Sequence, residues 1–122
     1  MPLLTTNPPG LQYTFTQGDT VSLAFIATSD TGIPVNLTGA TLSTQILGPN
    51  GVGPVTFPNS EHTLGNQTTN PGSFTLNLQP SDTANCNIGQ NKEVLTEAVI
   101  SGAVTYYRGE SLLSVYVAVP TQ

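Results

Sequence analysis

Apolar side chains recur at every second position along most of this sequence, and Gly, Pro, Asn and Asp interrupt the pattern at short intervals. A period of two puts successive side chains on opposite faces of an extended chain, so it specifies half-buried strands rather than amphipathic helices. Val21, Leu23, Phe25 and Ala27 alternate with Ser22, Ala24 and Ile26, the pattern of a core strand. Leu11, Tyr13 and Phe15 precede it across the turn Gln17-Gly18-Asp19, and Ser29-Asp30-Thr31-Gly32 supplies the next turn. Further strands are predicted at 41–47, 55–57, 72–78 and 93–101. Phe74, Leu76 and Leu78 form one inward face; Val94, Thr96, Ala98 and Ile100 form another. Residues 103–107 and 111–119 read as a closing hairpin about Arg108-Gly109-Glu110, with Leu113, Val115, Val117 and Val119 inward. Pro34 has no donor for a ladder and belongs at a sheet edge or crossing. The polar stretch 59–71 reads as a loop with room for one edge strand. Pro80 to Asn85 carries the one helical signal, a short turn with Pro80 at its first position.

Seven or eight such strands, without a helix long enough for a crossover unit, predict an all-β fold: an antiparallel immunoglobulin-like sandwich over residues 11–122. Residues 1–10, carrying Pro2, Pro8, Pro9 and Gly10, read as an extended N-terminal arm that orders against a neighbour. A chain of 122 residues buries roughly two-thirds of its unfolded surface, so neither a disulfide nor a metal is required for folding. The single Cys86 has no partner for a bridge and reads as a structural thiol.

Charge bears most directly on function. Charged residues make up 7% of the chain, against roughly 25% in ordinary soluble domains. The polar surface is drawn largely from 19 Thr together with Asn, Ser and Gln, which lose less on burial against a partner than charges do. Lys92 and Arg108 are the chain's two cations at a net charge of −5, which argues against binding nucleic acid or an anionic membrane surface. The N-terminus has no basic region followed by an apolar core, and no apolar run approaches a membrane span, so a chain made and kept in a cytoplasm, or released from one by lysis, is expected.

Candidate chemistry is thin. His62, the one histidine, lies in Ser60-Glu61-His62-Thr63, without nucleophile-elbow glycines, and reads as an exposed loop residue. Asp19, Asp30 and Asp82 lack the spacing of a calcium loop and read as turn caps. Asp82 and Glu97 are too weak a pair to suggest glycoside hydrolysis. No Gly-rich loop precedes a helix. The chain is therefore expected to be no enzyme and to need no cofactor. Tyr106, Tyr107 and Tyr116 concentrate near the last hairpin; tyrosine serves both as strand packing and as rigid binding area, and both roles stay open here. With Pro2, Leu3, Leu4, Pro8 and Pro9 of the arm, these tyrosines are the candidate partner-binding residues. A carbohydrate-binding or host-attachment module is the alternative, with the same tyrosines standing in for the Trp platforms the chain lacks.

One order of elements is more specific. Gln17-Gly18-Asp19-Thr20 precedes a core strand, and Asp30-Thr31-Gly32-Ile33-Pro34-Val35-Asn36-Leu37-Thr38-Gly39-Ala40-Thr41 follows it. Then come Gly48-Pro49-Asn50-Gly51, Gly72-Ser73-Phe74-Thr75-Leu76 and Pro80-Ser81-Asp82-Thr83, with Gly109 before a Val-rich last strand. Over roughly residues 15–119 this resembles the small Ig-like domains of tailed-bacteriophage virion proteins, including the N-terminal module of the baseplate upper protein family. The resemblance implies a virion component that packs against capsid, neck or tail subunits in multiple copies. It carries no catalytic residues over. A fibre-forming or receptor-binding region does not follow Val119, which favours a decoration, neck or collar subunit over a baseplate arm.

Overall fold

The computed structural model describes residues 2–7, 12–48, 55–86, 89–90, 93–110 and 113–116. Its strands are β1 (Leu3–Thr6), β2 (Tyr13–Thr16), β3 (Val21–Thr28), β4 (Thr41–Leu47), β5 (Val55–Phe57), β6 (His62–Leu64), β7 (Ser73–Leu78), β8 (Gly89–Gln90), β9 (Glu93–Ile100), β10 (Ala103–Glu110) and β11 (Leu113–Tyr116). One helical turn, α1 (Pro80–Thr83), and a 3-10 turn at Asn59–Glu61 complete the described elements. Eight strands form one mixed sheet in the order β5-β4-β9-β10-β1-β3-β7-β6, and β2-β11-β8 form a second, three-stranded sheet.

The large sheet curls until its two ends meet. Thr44 on β4 reaches His62 on β6, and the Leu42 N–H of β4 donates to Asn59 Oδ1 at 2.8 Å. The inward residues of the alternating strands fill the space enclosed: Leu4, Leu23, Phe25, Leu42, Ile46, Phe57, Phe74, Leu76, Leu78, Val94 and Ala98 are all buried. Phe25 and Phe74 stack at a centroid distance of 5.7 Å, and Tyr13 meets Phe25 edge-on at 6.1 Å. The inward faces read from β3, β7 and β9 are those observed, apart from the half-exposed Val21 and Ile100 at strand ends. Pro34 makes an isolated bridge to Thr28, a crossing that needs no proline donor.

Two readings of the chain change. Residues 3–6, read as part of an extended arm, are a strand inside the sheet. β1 pairs antiparallel with β3, from Leu3↔Thr28 to Thr6↔Phe25, and parallel with β10 at Leu3↔Arg108. The prolines at 2, 8 and 9 bracket five residues that keep their N–H groups, and the first four of them, Leu3–Thr6, form the strand. Leu4 and Thr6 then point inward, 2% and 1% exposed. Pro8 and Pro9 lie outside the described residues.

The closing hairpin is also displaced. β10 runs through Arg108-Gly109-Glu110 without turning, and Gly109 pairs with Val94. The hairpin is instead β9–β10, turning at Ser101 (φ 49°) and Gly102 (φ 83°). Positive φ at both central residues is the primed geometry whose twist matches paired strands, and Gly supplies one of the two without strain. β11 leaves β10 to run parallel with β2 in the small sheet.

Candidate interaction surface

Because β4, β9 and β10 alternate, every residue that fills the core has a neighbour on the outer face of the sheet. The registers align those neighbours in rows. Thr56, Gln45, Leu95, Arg108 and Leu3 lie across β5, β4, β9, β10 and β1; Ser43, Glu97 and Tyr106 form the next row; Thr41, Val99 and Val104 the third. Val104, Tyr106 and Leu3 are 51%, 45% and 41% exposed, three of the four large apolar side chains so exposed among the described residues. The fourth, Ile33, stands alone beside a turn.

Ser43, Gln45, Thr56, Leu95, Glu97 and Tyr106 line a shallow open depression of about 170 Å³ in this face. The Glu97 carboxylate beside Tyr106 raises the phenol's pKa, through hydrogen bonding first and then through its negative charge. Arg108 Nε meets Glu93 Oε2 at 3.1 Å, so the face pairs its own cation. The result is a band of hydroxyl, amide and aliphatic groups with one ion pair and the Glu97 carboxylate beside Tyr106, so few charges need desolvating.

The sequence-predicted binding residues divide. Leu3 and Tyr106 lie on this face. Pro2 is half-buried and its carbonyl accepts the Arg108 N–H at 3.2 Å. Leu4 and Tyr107 are corrections: at 2% and 3% exposure both are core residues, because alternation along β1 and β10 turns them away from their exposed neighbours. Burial also raises the Tyr107 pKa. Tyr116 pairs with Thr16 through its backbone in β11, and its side chain lies outside the described residues. Sequence reasoning missed Val104, Leu95 and Val99. Both faces of β9 and β10 are partly apolar, and only the ladder register shows which apolar residues stand together outside.

The remaining candidate groups are structural in their contacts. His62 lies on β6, half-buried, rather than in an exposed loop: its ring meets Thr44 Oγ1 at 2.7 Å and the Pro58 carbonyl at 2.9 Å. Cys86 is buried, its thiol pushed up to about 11 by burial and then by Asp82, and thus poorly nucleophilic. Asp19 caps its turn by accepting the Thr16 N–H at 3.0 Å, and Asp82 caps α1 through the Gln79 N–H at 2.9 Å. Burial, and then the hydrogen bonding and charge of Asp82, raise the Glu61 pKa. Among the described residues no three His, Cys, Asp or Glu side chains gather as a metal site, and no helix is long and apolar enough to cross a membrane. Compared with known protein families and with curated proteins, the chain matches none.

Proposed function

We propose that this chain is a structural subunit of a tailed-bacteriophage virion, an Ig-like β-sandwich that works by packing against other virion proteins. The observation that carries the packing role is the outer face of β4-β9-β10-β1. There Leu3, Leu95, Val99, Val104 and Tyr106 lie in neighbouring rows of a surface with one ion pair and few other charges. The sparse charge of the whole chain supports the same reading, since a multicopy subunit buries much of its surface in the assembly. The virion context rests on the order of turn and strand motifs over residues 15–119. The sandwich reading draws on β1, which joins a β3-β7-β6 half to a β10-β9-β4-β5 half, the two facing each other across one core.

The depression around Tyr106 favours a second reading, a glycan site. An exposed aromatic ring beside a carboxylate, an amide and two hydroxyls is what a sugar's apolar face and hydroxyl edge require.

Val104→Lys and Tyr106→Ser change exposed side chains only and are expected to leave the fold intact by circular dichroism. The packing function predicts that purified phage particles contain the wild-type chain in multiple copies and exclude Val104→Lys. Normal incorporation of Val104→Lys would sink it. Wild-type binding on a glycan array, lost in Tyr106→Ser, would instead support the second reading.

A further inference from the structure

The segment Asn59–Leu64 closes the curled sheet through two adjacent titratable residues that face different neighbours. The His62 Nδ1–H donates to the Pro58 carbonyl at 2.9 Å, which leaves Nε2 as an acceptor for the Thr44 hydroxyl at 2.7 Å. Thr44 Oγ1 in turn lies 2.9 Å from Thr96 Oγ1, both threonines fully buried. A chain of hydroxyls thus runs from β9 through β4 to the edge strand β6. Its polarity is set by a neutral imidazole. Among the described residues the ring meets Thr44 from β4, with Thr96 behind it on β9, and Phe74 from β7 at a centroid distance of 6.0 Å, all uncharged.

Glu61 makes the other tie. Its Oε2 is enclosed and has no hydrogen-bond donor among the described residues, and the charge of Asp82 on α1 acts on the same carboxyl. An enclosed carboxyl oxygen without a donor, under the charge of a second carboxylate, favours the protonated form. Cys86, the other titratable group near Asp82, stays a thiol and adds no charge.

We propose that Asn59–Leu64 is a two-point latch whose ties answer protons in opposite senses, so that β6 stays docked on β7 as the pH crosses the acidic-to-neutral range. The signs follow from each group's docked and undocked states. Burial lowers the His62 pKa below its ordinary 6.5, against the opposing pull of the Pro58 and Asn59 carbonyls. Its tie is full above 6.5 and weakens as pH falls through the lowered value. Burial first, then the hydrogen bond and charge of Asp82, raise Glu61 from 4.5 to about 7. Its tie is full below 4.5, weakens as pH rises, and is gone once the proton leaves near 7. Over the shared window one tie strengthens while the other fades. Were both to fail, the freed β7 edge would present an unpaired ladder, the template on which another strand adds.

Amide hydrogen exchange on the intact chain tests this, read as protection factors for residues 62–65 between pH 5 and 8 with intrinsic rates divided out. The Gly65 N–H, which donates to the Ser73 carbonyl at 2.9 Å, is the clearest reporter of docking. Glu61→Gln removes the Glu61 titration, and its protection is expected to fall at least about threefold on acidification from pH 7 to 5. His62→Gln leaves only Glu61, and its protection is expected to fall by a similar factor from pH 5 to 8. Wild type is expected to vary less than either variant. Profiles parallel to wild type in both variants would overturn the latch. Should a variant fail to fold, wild type alone suffices. The single histidine gives one ring titration by NMR, expected below 6.5, and the Glu61 carboxyl carbon is expected to titrate near 7. Ordinary values for both groups, 6.5 and 4.5, would refute the proposal.

Discussion

Single polar residues decide how several turns of this protein close, and Gln67 does most. Its side chain is 8% exposed. Oε1 accepts the N–H groups of Leu37 (2.9 Å) and Gly72 (2.8 Å), and Nε2 donates to the carbonyls of Gly65 (3.0 Å) and Ser73 (2.8 Å). One amide thereby satisfies four backbone groups: three in loops with no ladder to serve them, and the Ser73 carbonyl, which also accepts the Gly65 N–H. Gln67→Met keeps the volume and strands the Leu37 and Gly72 N–H groups and the Gly65 carbonyl, while the Ser73 carbonyl keeps the Gly65 N–H. Since an unsatisfied buried polar group costs about 1–3 kcal/mol and some of these can reach water, a loss of about 3 kcal/mol is expected in urea unfolding. A loss under about 1 kcal/mol would show that the clasp is dispensable. Gly72 belongs to the same device. At φ 83° a Cβ would strike the Ala27 carbonyl, so the position accepts glycine alone. Neither role is legible in the sequence, where Gln67 is one polar residue in a polar stretch. Its partners come from three separate segments.

At the scale of elements, strand existence was legible and strand partnership was not. Period two and turn residues locate β3, β4, β7 and β9 because local sterics and one-sided burial act within each segment. β1 escaped because a four-residue strand beside prolines has no local signature. Its pairing with β3 and β10 supplies its stability. The consequence is testable: Leu4→Ala removes a fully enclosed side chain between β3 and β10 and is expected to lower stability by about 2–5 kcal/mol. A free arm would register no change in the melting curve. Gly109 misled in the opposite direction. Gly is a turn residue by default, yet here it occupies a buried ladder position opposite Val94. Ser101-Gly102 is the pair that carries the hairpin, and nothing in its composition distinguishes it from other small polar dipeptides in the chain.

For the whole molecule the governing fact is that the sheet is assembled from distant parts. Leu3 lies beside Arg108, and β4 meets β6 only after the sheet has curled. Such non-local pairing requires loop closure before any contact rewards it, so refolding is expected in roughly milliseconds to seconds. Stopped-flow fluorescence of the four tyrosines reads it, and complete recovery within microseconds would contradict the topology. The same long-range assembly creates the outer face. Leu3, Leu95, Val99, Val104 and Tyr106 become one surface only because β1, β9 and β10 are neighbours.

The sequence by itself determined an all-β chain, the inward faces of its longer strands, the turns at 17–19 and 29–32, and a composition poor in charge. These follow from backbone sterics and side-chain alternation, which act over a few residues. The tertiary structure alone decided that the N-terminal segment is an interior strand, that Tyr106 and Tyr107 part to opposite faces, and that Glu61 and His62 face different partners. Each of those depends on which strands meet and in what register. Register is fixed by burying the whole core at once, and that energy belongs to the assembled sheet rather than to any segment of the chain.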